Sequence, residues 1–130
     1  MQPSSDKTFT FTDPIDGVYI IELYAGDYVM IEETFSDVLQ EYDDYVRNIN
    51  SSFDQKDIPT LKSAVHKIKP LFGFVGLTAL QALCLRFENS CLDYSPAQLA
   101  EAYADLKDNL LAARSIIENE KGRLQQFNQQ

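Results

Sequence analysis

Apolar residues recur along this chain at the spacing of a single helix face. Counting from Ile31, the positions Phe35, Val38, Leu39, Tyr42, Val46, Ile49 and Phe53 follow at offsets of 4, 7, 8, 11, 15, 18 and 22, a sustained helical period. A second stripe runs through Ile58, Leu61, Val65, Ile68 and Phe72, and a third, in a helix from about Leu77 to Leu92, through Leu80, Leu83, Cys84 and Phe87. The fourth is the longest: Leu99, Tyr103, Leu106, Leu110, Ala113, Ile117, Leu124 and Phe127 predict a helix of about 30 residues, about 45 Å long. Ahead of these, VYIIELYA follows Asp16 with the apolar density of a short helix that stops near Gly26. Strand-like alternation of useful length and internal repeats are both missing from the sequence.

Polar punctuation sets the boundaries. Asp27 and Asp57 are placed to cap the free N–H groups of a first turn, and Pro59 sits where a missing N–H does little harm. Ser95, Pro96 and Gln98 read as a capping box with proline at the first helical position. Gly73 to Gly76 reads as a hairpin turn. Short connections place successive helices antiparallel, so the expected fold is all-α: an antiparallel up-and-down four-helix bundle with a short additional N-terminal helix. Residues 15–127 form the single expected domain. Residues 1–14, polar and interrupted by Pro3 and Pro14, read as a flexible arm, and 128–130 as a polar tail.

Charge narrows the function classes. The 130 residues hold 20 Asp and Glu against 11 Lys and Arg, a net −9, which argues against whole-surface attraction to nucleic acid or anionic membrane. The longest uncharged run, residues 70–85, is interrupted by Pro70, Gly73 and Gly76 and falls short of a spanning segment; it reads as a buried hairpin corner. With no signal-peptide pattern at the start, a cytoplasmic location is expected. Cys84 and Cys91 lie seven residues apart, about two helical turns, too far for a disulfide, which fits a reducing compartment.

The chain has one histidine, His66. That excludes multi-histidine metal sites, and no metal or other cofactor of the chain's own is expected. With Val65 set at 0° and about 100° per residue, the apolar stripe of this helix lies between about −60° and +20°. His66 falls at about +100°, turned toward water, with Lys62 and Lys69 one turn before and after it. An exposed neutral imidazole offers a ring-nitrogen lone pair as nucleophile, and ammonium groups beside it stabilise a transferring phosphoryl group. Gly73 and Pro70 leave clearance for a partner to approach. Charge segregation points the same way: residues 1–53 hold 11 acids and 2 bases, residues 54–86 hold 2 and 5, and residues 87–130 hold 7 and 4. The one net positive segment is the one with the histidine.

The stretch His66-Lys-Ile68-Lys69-Pro70-Leu-Phe-Gly73-Phe-Val75-Gly76-Leu77 resembles the histidine-containing phosphotransfer (HPt) domains of two-component phosphorelays. The likeness lies in the histidine, the aliphatic two residues on, the lysine three on, and the aliphatic-glycine pair nine and ten on. Glu22-Leu23-Tyr24-Ala25-Gly26-Asp27 is similar to the family's first helix junction. The resemblance implies that His66 accepts a phosphoryl group from a receiver-domain aspartyl phosphate and passes it to another receiver. Lys69 would steady the phosphate, and Lys62, Lys67, Pro70 and Gly73 would shape docking. The implied partners are a response-regulator receiver and a hybrid sensor kinase; Mg²⁺ belongs to the receiver. The chain itself would be a monomeric carrier rather than an enzyme. Pro70 departs from the family's usual glycine, and its missing N–H predicts a kink just past the histidine. An adaptor that docks a receiver or kinase without carrying phosphate is the alternative. An independent hydrolase lacks a visible Ser/His/Asp or metal-ligand arrangement.

Overall fold

The computed structural model describes residues 7–130. Five helices follow in order: α1 (Gly17–Leu23), α2 (Tyr28–Asp54), α3 (Ile58–Phe74), α4 (Thr78–Ser90) and α5 (Pro96–Asn128). There is no strand among the described residues. Helix α2 packs on α3 and α5, and α4 packs on α3 and α5, so the four long helices close an up-and-down bundle, with α1 at the end where α3 turns into α4.

Four of the five helices begin where a polar side chain satisfies a free first-turn N–H group, while α4 starts after Leu77 with no side-chain cap. Asp16, Asp27 and Asp57 accept from the N–H three residues on, and Ser95 and Gln98 form the reciprocal box with Pro96 at the first position. Such a cap is worth about 1 kcal/mol. The four apolar stripes meet in one core in which Ile31, Phe35, Ile49, Leu61, Val65, Ile68, Phe72, Cys84, Leu106, Leu110, Ile117 and Leu124 are wholly buried. One polar contact crosses it: the Tyr42 hydroxyl donates to the Leu110 carbonyl at 2.7 Å.

Three expectations are corrected. First, α3 runs continuously through Pro70 and includes Gly73 and Phe74. The chain reverses over residues 75–77, beginning two residues later and turning more tightly than the glycine pair suggested. Pro70 is accommodated because its ring lies on the exposed side of α3, as does His66, where the His66 carbonyl that loses its N–H partner is open to water. Second, the arm reading fails for residues 9–14. Phe9 is buried against Phe11, Tyr28 and Phe127. Thr12 donates its N–H to buried Glu120 at 2.6 Å, and Arg123 bonds Glu120, Thr12 and the Thr10 carbonyl while lying over the Phe9 ring. Apolar and hydrogen-bonding partners on α5 thus hold a segment whose own composition reads as loop. Residues 1–6 of that arm lie outside the described residues. Third, Asn128 belongs to α5 rather than to a tail, and its amide donates to the Tyr28 carbonyl and to Glu32.

The reversal between α3 and α4 depends on Gly76. Its φ of +73° is a left-handed conformation that disfavours any side chain. A Cβ there would come within 2.5 Å of Ile20, and its carbonyl accepts the Asp16 N–H at 2.8 Å. The glycine therefore lets α1 seal this end of the bundle. Gly76→Ala is expected to lower unfolding free energy by about 1–3 kcal/mol. Gly73→Ala, whose added methyl would meet only the flexible Gln81 carboxamide, should stay within about 1 kcal/mol of the parent. Urea denaturation of both variants checks the contrast.

Candidate functional site

The middle of α3 presents a narrow exposed ridge. Val65 and Ile68 point into the core, which turns His66 outward with its side chain 65% exposed. Lys67 and Pro70 are exposed beside it, and Lys62 and Lys69 are half-buried. The sequence-based placement of the imidazole toward water and among lysines therefore holds in the structure.

The residue that organises the site comes from α4. Glu88 is buried, its side chain 11% exposed, and its two carboxylate oxygens are divided between two residues of α3. Oε1 lies 2.5 Å from His66 Nδ1, and Oε2 accepts from Lys69 Nζ at 2.7 Å. Lys69 Nζ is also 3.5 Å from Nδ1, but an ammonium and a ring N–H are both donors, so the carboxylate is what joins them. An ionised carboxylate only accepts hydrogen bonds. Nδ1 must therefore carry the proton, which places the lone pair of a neutral imidazole on Nε2. That nitrogen has no hydrogen-bond partner among the described residues. The arrangement is a nucleophile on one side of the ring, with orientation and charge compensation on the other.

Sequence reasoning missed Glu88, although a signal was present. Leu80, Cys84, Phe87 and Cys91 mark the inward face of α4, and Glu88 stands one turn beyond Cys84 at the border of that face. A carboxylate at such a position needs a compensating partner. Burial acts to raise the Glu88 carboxyl, and hydrogen bonds from Lys69 and His66 with their positive charge outweigh it, leaving the group below the usual carboxylate range.

The other expected site residues are distributed differently. Lys69 is beside the ring, with its ammonium on Glu88. Lys62 and Lys67 form no ion pair among the described residues. Gly73 is buried: its bare Cα makes room for Gln81, which a Cβ would approach to 2.8 Å, and both residues border the groove beside Pro70. Pro70 borders an open groove of about 700 Å³ whose apolar lining includes Tyr19, Leu23, Met30, Val38 and Phe74, with Asp37 and Glu41 along one side. The groove starts one helical turn from His66.

Neither cysteine competes as a nucleophile. Burial pushes the Cys84 thiol up to about 12 and also raises Cys91, so both are thiols at neutral pH, and both are free. Among the described residues no group of three His, Cys, Asp or Glu side chains is arranged to hold a metal ion, and no helix is long and apolar enough to cross a membrane.

Because the Glu88 carboxyl lies below its ordinary value in the folded protein, its stabilising contribution is complete above the unfolded pKa of about 4.3 and is lost as pH falls through the folded value. Glu88→Gln, which keeps the shape and removes the charge, should lower the urea midpoint at pH 7, with the gap to the parent closing near pH 3. Denaturation curves at both pH values measure this.

Searches of curated proteins and of solved structures returned no match to this chain. The sequence does match the family model described as "Hpt domain" over residues 33–116, a span that takes in most of α2, all of α3 and α4, and α5 as far as Ile116, with His66, Lys69 and Glu88 inside it. The four-helix bundle, the exposed imidazole and that match agree, and the chain belongs to the Hpt domain family.

Proposed function

We propose that His66 is the phosphoryl-carrying residue of this phosphorelay module, taking the group from a receiver-domain aspartyl phosphate and passing it to the aspartate of another receiver. The observation that carries this reading is the Glu88 carboxylate on Nδ1, which leaves Nε2 unprotonated and facing solvent on an exposed side chain. Nε2 attacks the phosphorus, the P–O bond to the aspartate breaks, and the electron pair remains on the carboxylate. The receiver contributes the acidic pocket and its Mg²⁺; the Hpt chain contributes a rigid nucleophile. This is the work of a carrier, which has no turnover of its own without a partner.

The receiver must bring its aspartate to within bonding reach of Nε2. A stable interface covers about 800 Å² on each partner, a patch wide enough to extend well past Pro70, one turn away. The groove bounded by α1, α2 and α3 is therefore the seat proposed for the receiver's apolar surface. Asp37 and Glu41 favour basic residues at its edge, and Lys62 and Lys67 favour acidic ones on the opposite side. The non-carrying adaptor reading was motivated by Pro70; α3 stays helical through that residue, and His66 remains exposed, which supports the carrier reading.

Incubation with a phosphorylated receiver should label the parent protein with an acid-labile, base-stable phosphate, and His66→Gln should take no label. Receiver binding without label on the parent would establish the adaptor instead. Met30→Asp, a charge placed on an exposed groove residue, should reduce the second-order transfer rate at least about tenfold, or 1.4 kcal/mol, with an unchanged circular dichroism spectrum.

A further inference from the structure

The same carboxylate has a second consequence once the ring carries phosphate, and this inference rests on the assignment of His66 as carrier. When the Nε2 lone pair forms the P–N bond, the ring becomes a phosphoimidazolium: Nδ1 still holds its proton, and the ring gains one positive charge. Nothing has to be protonated or deprotonated for the group to leave again. The P–N bond breaks toward the next aspartate, its electron pair returns to Nε2, and a neutral imidazole is regenerated. If Nδ1 lost its proton in the interval, the departing group would be an imidazolate, a far poorer leaving group. Retention of one proton therefore decides whether the phosphohistidine remains a ready donor.

We propose that Glu88 is a positioning residue that keeps Nδ1 of phosphorylated His66 protonated across the neutral pH range, so that the carrier stays in its transfer-competent form between receivers. The geometry supports this on three counts. Oε1 stands 2.5 Å from Nδ1, within direct hydrogen-bonding distance. The carboxylate is buried while the ring is exposed, so the negative charge acts through a poorly screened environment on the proton it holds. Lys69 anchors the other oxygen at 2.7 Å, which keeps the carboxylate ionised and stops it from rotating away.

The charged and titratable groups around the pair are few. Helix α3 supplies Lys62, Lys67 and Lys69, all of which disfavour a positive charge on the ring. Helix α4 supplies the Cys84 and Cys91 thiols, which are neutral. Helix α2 presents Asp37 and Glu41 to the groove beyond Pro70, one turn farther along α3. Glu88 is the one anion in contact with Nδ1.

Direct phosphorylation with phosphoramidate allows the test to be made without a receiver, so that its outcome is separate from the carrier assignment. The full chain, labelled with ¹⁵N in its histidine, is phosphorylated and titrated while the Nδ1 chemical shift is followed. In Glu88→Gln the midpoint for loss of the Nδ1 proton should fall by about 1–2 pH units, as expected for removing an opposite charge at contact distance. In Lys62→Gln, which removes a like charge and leaves the Lys69–Glu88 anchor in place, it should rise. Opposite signs separate an electrostatic role from a structural one, because a merely loosened site would move both variants the same way. Transfer from the pre-phosphorylated protein to an unphosphorylated receiver should then fall off at correspondingly lower pH in Glu88→Gln. Equal midpoints in the parent and Glu88→Gln, or shifts of the same sign in the two variants, would overturn the proposal. Failure of a phosphorylated receiver to label His66, with the titration shifts intact, would instead remove the carrier assignment.

Discussion

A carboxylate that is nearly out of reach of water must have its charge answered by protein, and in this bundle only α3 answers Glu88. Leaving one partner of such a pair unmatched costs several kcal/mol, so the two bonds restrict how α3 can lie against α4. Turning α3 by a single residue about its axis would carry Lys69 and His66 away together and bury Val65 and Ile68 wrongly as well. The apolar stripe and the ion pair thus specify the same rotation, and that rotation is what points the imidazole outward. Gly76 supplies the complementary constraint at the helix end, since the tight reversal over residues 75–77 sets how far α3 and α4 can slide past each other.

Seen from a partner, the exposed face is polarised. The positive segment of the sequence spends one of its lysines, Lys69, inside the molecule on Glu88. What remains outside is a histidine with Lys67 beside it and Lys62 toward the start of α3, and a groove with acids from α2 toward its end. A receiver approaching His66 meets positive potential on one side and an acid-edged apolar trough on the other. Opposite signs on the two flanks resist a reversed approach, which places orientation as well as attraction in the charge pattern.

Most of the fold was legible because the dominant forces are written at regular intervals. Four apolar stripes with a 3.6-residue period and three polar caps, Asp27, Asp57 and Ser95, name the helices almost without reference to one another. His66 was legible as a site for the same reason: its angle from Val65 put it off the core. Glu88 was harder, since its significance lies in a contact 22 residues away, and sequence shows only that an acid stands beside an apolar stripe. The packing role of Gly73 was hidden in the same way, since Gln81 of the neighbouring helix occupies the space that its missing side chain leaves. How α3 tolerates Pro70 was not legible either, because it depends on which side of the helix the ring faces, and that is set by the tertiary packing. The segment 9–14 misled most, because Phe9 and Thr12 find their partners more than a hundred residues later, on Arg123, Glu120 and Phe127.

That last set of contacts also describes how the chain closes on itself. Thr8, Phe9 and Thr10 border the same surface cleft as Phe127 and Gln130, so the backbone leaves the bundle very near where it enters. The short connection between α4 and α5, with exposed Leu92, Asp93 and Ser95, lies at the opposite end and away from His66. Topologically the bundle is close to a ring, and the order in which its helices are read along the chain is nearly independent of where that ring is cut. The ridge that carries His66, built wholly from α3 and α4, would keep its connectivity under a cut at that loop.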